Sequence, residues 1–222
     1  MPAMSYTVLF DLDGTLTDPA PGIIGCFQQA LTDLGHETPP FDELKWIIGP
    51  SLRSSFPKFM PDGADVETAL ARYRLHYGGG GLYDLTVYPG MPEAVALIRS
   101  EARRLFVCTA KPETFARPII DRFGYAPLFD QVYGTTLDGS LDDKGDLMAK
   151  IIAEQGFDPA RAIMVGDRKH DILAARRHGI ASIGVTWGYG GAQELSDTGA
   201  THLCERPEEL AGLVKRIAAD WR

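Results

Sequence analysis

The sequence predicts an α/β fold: a parallel β-sheet covered on both faces by helices, with an all-helical insertion after the first strand. Three observations carry this reading. From Tyr88 onward, short apolar runs alternate with helical stretches of about 10–15 residues, the pattern of parallel strands joined by crossover helices. Before that, between about residues 17 and 85, no convincing strand occurs. Every predicted strand end near the expected switch point of the sheet carries a polar residue where a buried strand would otherwise simply stop.

The elements follow in order. Thr7-Val8-Leu9-Phe10-Asp11 is an apolar run closing on an acid, which suits a buried strand whose C-terminal end does chemistry. Gly22–Leu34 carries Ile23, Ile24, Phe27, Ala30, Leu31 and Leu34 at helical spacing, with Gly35 at the C-cap. Further helical stretches are expected at about Phe41–Ile47, Leu52–Phe59 and Ala64–Tyr77, broken by Pro50, Pro57 and Pro61. The run Gly78-Gly79-Gly80-Gly81 reads as a flexible connection and hinge. Helices are then expected near Met91–Glu101, Thr114–Phe123, Lys144–Gln155, Asp171–His178 and Glu208–Ala219. Strands fall at Leu105–Thr109, Gln131–Gly134, Ala162–Gly166 and Ala181–Val185.

Composition narrows the function. The chain has 222 residues, a net charge of −8, and 45% hydrophobic against 23% charged residues, an ordinary globular balance that argues against disorder. No apolar run approaches the ~18 residues of a membrane span. An acidic chain without a Lys/Arg block is a poor partner for nucleic acid or an anionic membrane. Cys26, Cys108 and Cys204 show no metal-ligand spacing and read as reduced, buried thiols. With no signal peptide visible, a cytoplasmic protein is expected. Nothing in the sequence signals an oligomeric state.

Open parallel sheets bind ligands outside the carboxyl ends of their strands. Asp11 and Asp13 follow the first predicted strand, Thr109 ends the second, and Asp167 and Asp171 follow the one at 162–166; Lys144 opens a helix. While the chain stays extended, Asp11 and Asp13 project to one side. Two adjacent carboxylates repel unless a cation lies between them or one keeps a proton. Carboxylates without His or Cys neighbours form a hard-oxygen set, better suited to Mg²⁺ than to zinc. Asp-x-Asp-Gly-Thr also suits a plain turn. In Gly166-Asp167-Arg168-Lys169-His170-Asp171, glycine would let a ligand approach the backbone at a helix start.

Taken together, these segments resemble the haloacid dehalogenase superfamily of aspartate-nucleophile phosphotransferases. All four family motifs occur in order: Asp11-Leu12-Asp13-Gly14-Thr15, Thr109, Lys144, and Gly166 to Asp171. The resemblance implies a Rossmann-like parallel sheet core over residues 1–16 and 87–222, with a small all-α cap over 17–86. It implies Asp11 as nucleophile and Asp13 as general acid/base. Thr109 and Lys144, with backbone N–H groups near Leu12 and Ala110, would hold the phosphoryl group. Mg²⁺ would sit among Asp11, Asp13, Asp167 and Asp171.

Haloacid dehalogenases lack an acid at the position of Asp13, because a halide leaves without a proton, so the resemblance favours a phosphatase. The expected partner is a small phosphorylated metabolite. The loop Ile48-Gly49-Pro50-Ser51-Leu52-Arg53 and Trp187-Gly188-Tyr189-Gly190 resemble phosphoglycolate-phosphatase-like members. Arg53 is thereby implied on the leaving-group side of the substrate, while the aromatic rings read as packing. A 5′-nucleotidase, a sugar-phosphate mutase and, from another class, a phospho-accepting signalling module are the alternatives. Lys111 is placed to reach a leaving group, and His170 reads as an exposed loop residue.

Overall fold

The structure is a computed structural model that describes residues 6–221. Six parallel strands form its sheet: β1 (Thr7–Phe10), β4 (Arg104–Pro112), β5 (Gln131–Thr135), β6 (Ala162–Gly166), β7 (Ala181–Val185) and β8 (His202–Cys204). Their spatial order is β5-β4-β1-β6-β7-β8. The chain therefore builds outward from β1 on one side, then returns to build outward on the other. That reversal opens a crevice at the carboxyl ends of β1, β4 and β6.

Two-sided burial explains the strand sequences. Val8, Leu9 and Phe10 are all fully buried, yet Leu9 faces one apolar cluster and Val8 and Phe10 the other. Side chains alternate between faces along a strand, so only an uninterrupted apolar run satisfies both. Leu147, Met148 and Ile151 of α6 (Lys144–Gln155) cover the Leu9 face with Ala174 and Ala175 of α7 (Lys169–Arg177). The opposite face takes α4 (Met91–Glu101), α5 (Glu113–Arg122) and α9 (Pro207–Ala219). Helix α6 is capped by Asp143, whose carboxylate accepts from Asp146 N–H at 3.0 Å, and it ends at Gly156 with φ +62°. That cap fixes Lys144 at the first turn, under the crevice.

The segment after β1 is entered and left through a two-stranded antiparallel ribbon, β2 (Thr17–Asp18) with β3 (Thr86–Val87). The ribbon lies at the expected ends of the insertion, β2 starting at residue 17 and β3 spanning 86–87. Between its strands lie α1 (Ala20–Asp33), α2 (Leu52–Ser55) and α3 (Val66–Gly79). Phe27 of α1 stacks on Phe56, just after α2, with centroids 4.3 Å apart, and Phe56 meets Tyr73 of α3 edge-on, joining the three helices. Phe41–Ile47 and Phe56–Phe59 are 3₁₀ turns rather than α-helix. Each is short and follows or contains a proline, too little chain to nucleate α-helix.

The glycine run is not a linker. Gly78 and Gly79 belong to α3, and Gly81 packs against α1, where a Cβ would lie 2.2 Å from Cys26 Sγ. Glycine is required there for close helix packing, so residues 78–81 are packed rather than the flexible connection expected. Helix α8 (Gly191–Thr198) and edge strand β8 were not expected from the sequence. Leu195 is the one buried residue of α8, and His202 and Leu203 of β8 are exposed, so neither segment carries a periodic apolar signal. No described helix is long and apolar enough to cross a membrane.

Candidate active site

Beyond Phe10 the ladder continues for one bond, Asp11 N–H donating to Val165 carbonyl at 2.9 Å. The chain then turns through Leu12–Thr17, with Leu16 N–H on Leu12 carbonyl at 2.9 Å and Gly14 N–H on Thr17 carbonyl at 2.7 Å. Gly14 has φ +84°, and a Cβ there would stand 2.2 Å from Asp167 Oδ2. Backbone conformation and space both demand glycine.

Asp11 and Asp13 line one cleft, as expected, but each has its own lysine. Asp11 Oδ1 lies 3.0 Å from Lys144 Nζ and accepts from Leu12 N–H at 2.7 Å. Asp13 Oδ2 lies 2.9 Å from Lys111 Nζ. Lys111 in turn donates to the Tyr77 hydroxyl, from α3 of the insertion. Asp13 Oδ1 is buried and, among the described residues, has no hydrogen-bond partner.

The acidic cluster proper is Asp11, Asp167 and Asp171, with carboxylate oxygens within 4.8 Å of one another. The Asp13 carboxylate is not part of this group; its Oδ2 is paired with Lys111 instead. Tyr189 N–H donates to Asp167 Oδ2 at 2.7 Å, and the Thr15 hydroxyl reaches its Oδ1 at 3.4 Å. Asp171 accepts from Lys144 Nζ and, at 3.0 Å, from Arg168 N–H. A Cβ at Gly166 would lie 2.1 Å from the Asp171 carboxyl carbon. This glycine admits Asp171, not a ligand.

All three carboxyls are buried. Burial pushes the Asp167 carboxyl well above the usual range, and the charges of Asp11 and Asp171 push it further. Burial likewise raises Asp171, to about 6, although Lys144 pulls the other way. At Lys144 burial opposes the charge, but Asp11 and Asp171 overcome it and raise the ammonium group above its ordinary value. Lys144 thus pairs with two of the three carboxylates, Asp11 and Asp171. An all-oxygen set with surplus negative charge and no His or Cys fits Mg²⁺ in donor chemistry.

Thr109 and Lys111 lie two residues apart on β4 and line the same cleft with Ala110. Thr109 Oγ accepts from Lys111 N–H at 3.2 Å, within an irregularity where the β4–β5 register shifts. The cleft, about 80 Å³, is roofed by Ile23, Leu70, Tyr73 and Tyr77 of the insertion.

Arg53 lines the mouth of the cleft, but its guanidinium pairs with Glu67 and lies 3.7 Å from Asp142. Beside it Arg74, not singled out by the sequence, donates to Leu137 carbonyl at 2.6 Å. His170 is half-buried rather than exposed, with Nε2 unpartnered among the described residues. Burial, together with the nearby cations Lys144, Arg168 and Lys169, lowers its pKa. Trp187 and Tyr189 do more than pack: Trp187 Nε1–H donates to Thr15 carbonyl at 3.1 Å, and Tyr189 supplies the Asp167 contact.

Comparison with known proteins agrees with this geometry. Residues 8–185 match the family described as haloacid dehalogenase-like hydrolase. A protein of Pseudomonas aeruginosa named 5′-nucleotidase is 39% identical over 91% of this chain and 92% of its own. A phosphoglycolate phosphatase of Caulobacter vibrioides is 31% identical over 82% of this chain and 80% of its own. Among solved structures, one described as a predicted phosphatase from Clostridium acetobutylicum superposes with a TM-score of 0.90 at 32% identity, covering 96% of this chain and 99% of that one. Protein Tyrosine Kinase A of Mycobacterium tuberculosis does so with a TM-score of 0.80 at 36% identity, covering 96% and 98%. From the match over residues 8–185 and the acidic cluster at the ends of β1 and β6, the chain belongs to the haloacid dehalogenase-like hydrolases.

Proposed function

We propose that this hydrolase is a Mg²⁺-dependent phosphomonoesterase for a small phosphate ester of the phosphoglycolate type, working through an aspartyl-phosphate on Asp11. The observation that carries the reading is the division of labour between two neighbouring acids. Asp11 sits in the Lys144 cluster, whereas Asp13 is tethered at Oδ2 and keeps Oδ1 free toward the cleft. That difference supports attack by one carboxylate and proton transfer by the other.

Asp11 attacks phosphorus, forming an oxygen–phosphorus bond as the ester oxygen–phosphorus bond breaks. Asp13 donates its proton to the departing alcohol oxygen. It then takes a proton from water, which attacks the phosphoryl group and frees Asp11 and inorganic phosphate. Lys144, the Thr109 hydroxyl and the N–H groups of Leu12 and Ala110 would hold the phosphoryl oxygens. Asp11, Asp167 and Asp171 are the residues that would hold Mg²⁺, whose charge, when bound, lets an anion approach an anionic ester. Residues 17–86 act as the lid that excludes water. Three free, buried cysteines accord with a cytoplasmic enzyme.

The test is phosphate release across phosphoglycolate, nucleoside monophosphates, sugar phosphates and pyrophosphate with Mg²⁺. Phosphoglycolate or a similarly small anionic ester is expected to give the highest kcat/KM. The likeness to the Pseudomonas protein makes a nucleoside monophosphate the competing outcome. Label moving from ATP onto a tyrosine peptide, with no ester hydrolysed, would overturn the hydrolytic reading. Excess EDTA is expected to stop turnover, and Ca²⁺ is expected not to restore it, because calcium prefers more ligands at longer distances. Full activity in EDTA would remove the metal from the account.

A further inference from the structure

We propose that Arg168 is a positioning residue that seats the lid on the acidic cluster, joining the loop at 46–49 to the carboxylate Asp171. The proposal rests on reading residues 17–86 as a lid. Arg168 is 7% exposed, and its side chain works on two sides. Toward the core, Nε donates to Glu194 Oε1 at 3.0 Å and Nη2 reaches Oε2 at 3.5 Å. Toward the insertion, Nη1 donates to Ile48 carbonyl and lies 3.5 Å from Trp46 carbonyl. Its own N–H holds Asp171 Oδ2 at 3.0 Å. One residue therefore touches the lid, the sheet flank and the acidic cluster.

A buried guanidinium must have its donors satisfied. Glu194 keeps the charge paired whatever the lid does. When the lid lifts, Nη1 loses its carbonyl acceptors, so part of the cost of opening falls on this side chain. The acceptors are main-chain carbonyls, which no side-chain substitution in the lid removes. The lid contributes instead by omission: Gly49 has φ +106°, and a Cβ there would stand 2.8 Å from Arg168 Cγ. A side chain at that position would push the arginine away.

Hydrogen–deuterium exchange on the full chain without substrate reads the seat directly. In Arg168→Met, exchange of the amides in 46–53 should rise roughly 10- to 100-fold, the shift expected from losing a hydrogen bond to a charged group, while β6 stays protected. Gly49→Ala should raise the same amides from the lid side. The two substitutions should be non-additive in the double variant, because both break one contact. In Arg168→Lys, which keeps the charge beside Glu194 but lacks the fork, the lid should be less mobile than in Arg168→Met. Unchanged exchange at 46–53 in Arg168→Met, or strictly additive effects, would overturn the proposal. If Arg168→Met fails to fold, Arg168→Lys decides: faster exchange at 46–53 than in the native chain, with β6 protected, supports the seat, and no change refutes it. Since no ester is present, the outcome is independent of which phosphate ester the enzyme hydrolyses.

Discussion

Asp11→Asn is expected to lower phosphate release by about 10⁴-fold or more, leaving a folded protein. An amide is nearly isosteric with the carboxylate and its oxygen can still accept from Leu12 N–H, which in the native chain holds Asp11 Oδ1 at 2.7 Å. What it cannot do is attack phosphorus. The substitution also removes one of three clustered negative charges, relieving the repulsion that raises Asp167 and Asp171. The thermal midpoint of the metal-free variant should therefore hold or rise. Steady-state assay and thermal melts, with deamidation excluded by mass spectrometry, check both halves. A variant retaining more than a small fraction of the rate would contradict Asp11 as nucleophile.

Asp13→Asn should act differently according to the leaving group. Positioned proton transfer contributes about 10²–10⁴-fold, so alkyl phosphates should lose that much. An activated aryl phosphate, whose phenolate departs without a proton, should lose far less. Burial raises the Asp13 carboxyl, Lys111 counteracts it, and the neighbouring Asp11 raises it again. The acid is thus better able to carry a proton near neutrality than an ordinary carboxyl. Lys111→Met should reproduce the same leaving-group dependence more weakly, since it frees the tethered Oδ2 without removing the acid. Equal losses on alkyl and aryl esters would place Asp13 in the scaffold rather than in proton transfer.

How much of this was legible beforehand follows from the range of each interaction. Strands such as Ala162–Gly166 and helices such as Lys144–Gln155 carry their signals locally, in their apolar period. Asp11, Thr109, Lys144, Asp167 and Asp171 could be named because each sits at a strand or helix end, and the sheet gathers those ends. Lys111 was visible as a candidate, but its pairing with Asp13 depends on the β4 irregularity and on Tyr77 descending from the insertion. Arg168 and the Ile48 carbonyl are 120 positions apart, and no local pattern announces such a contact. The glycines misled in an instructive way. Gly166 admits a carboxylate and Gly81 a cysteine, so close packing, which sequence cannot display, decides what a glycine is for.

The central claim is that phosphate passes through Asp11. Acid-quenching Asp13→Asn during turnover of an activated aryl phosphate tests it most directly, because loss of the proton acceptor slows attack by water on the phosphoryl group carried by Asp11. Peptide mass spectrometry should then find one phosphoryl group on the peptide containing Asp11, absent from Asp11→Asn treated in the same way. Phosphoryl label on another residue, or sustained turnover by Asp11→Asn with deamidation excluded, would contradict the account.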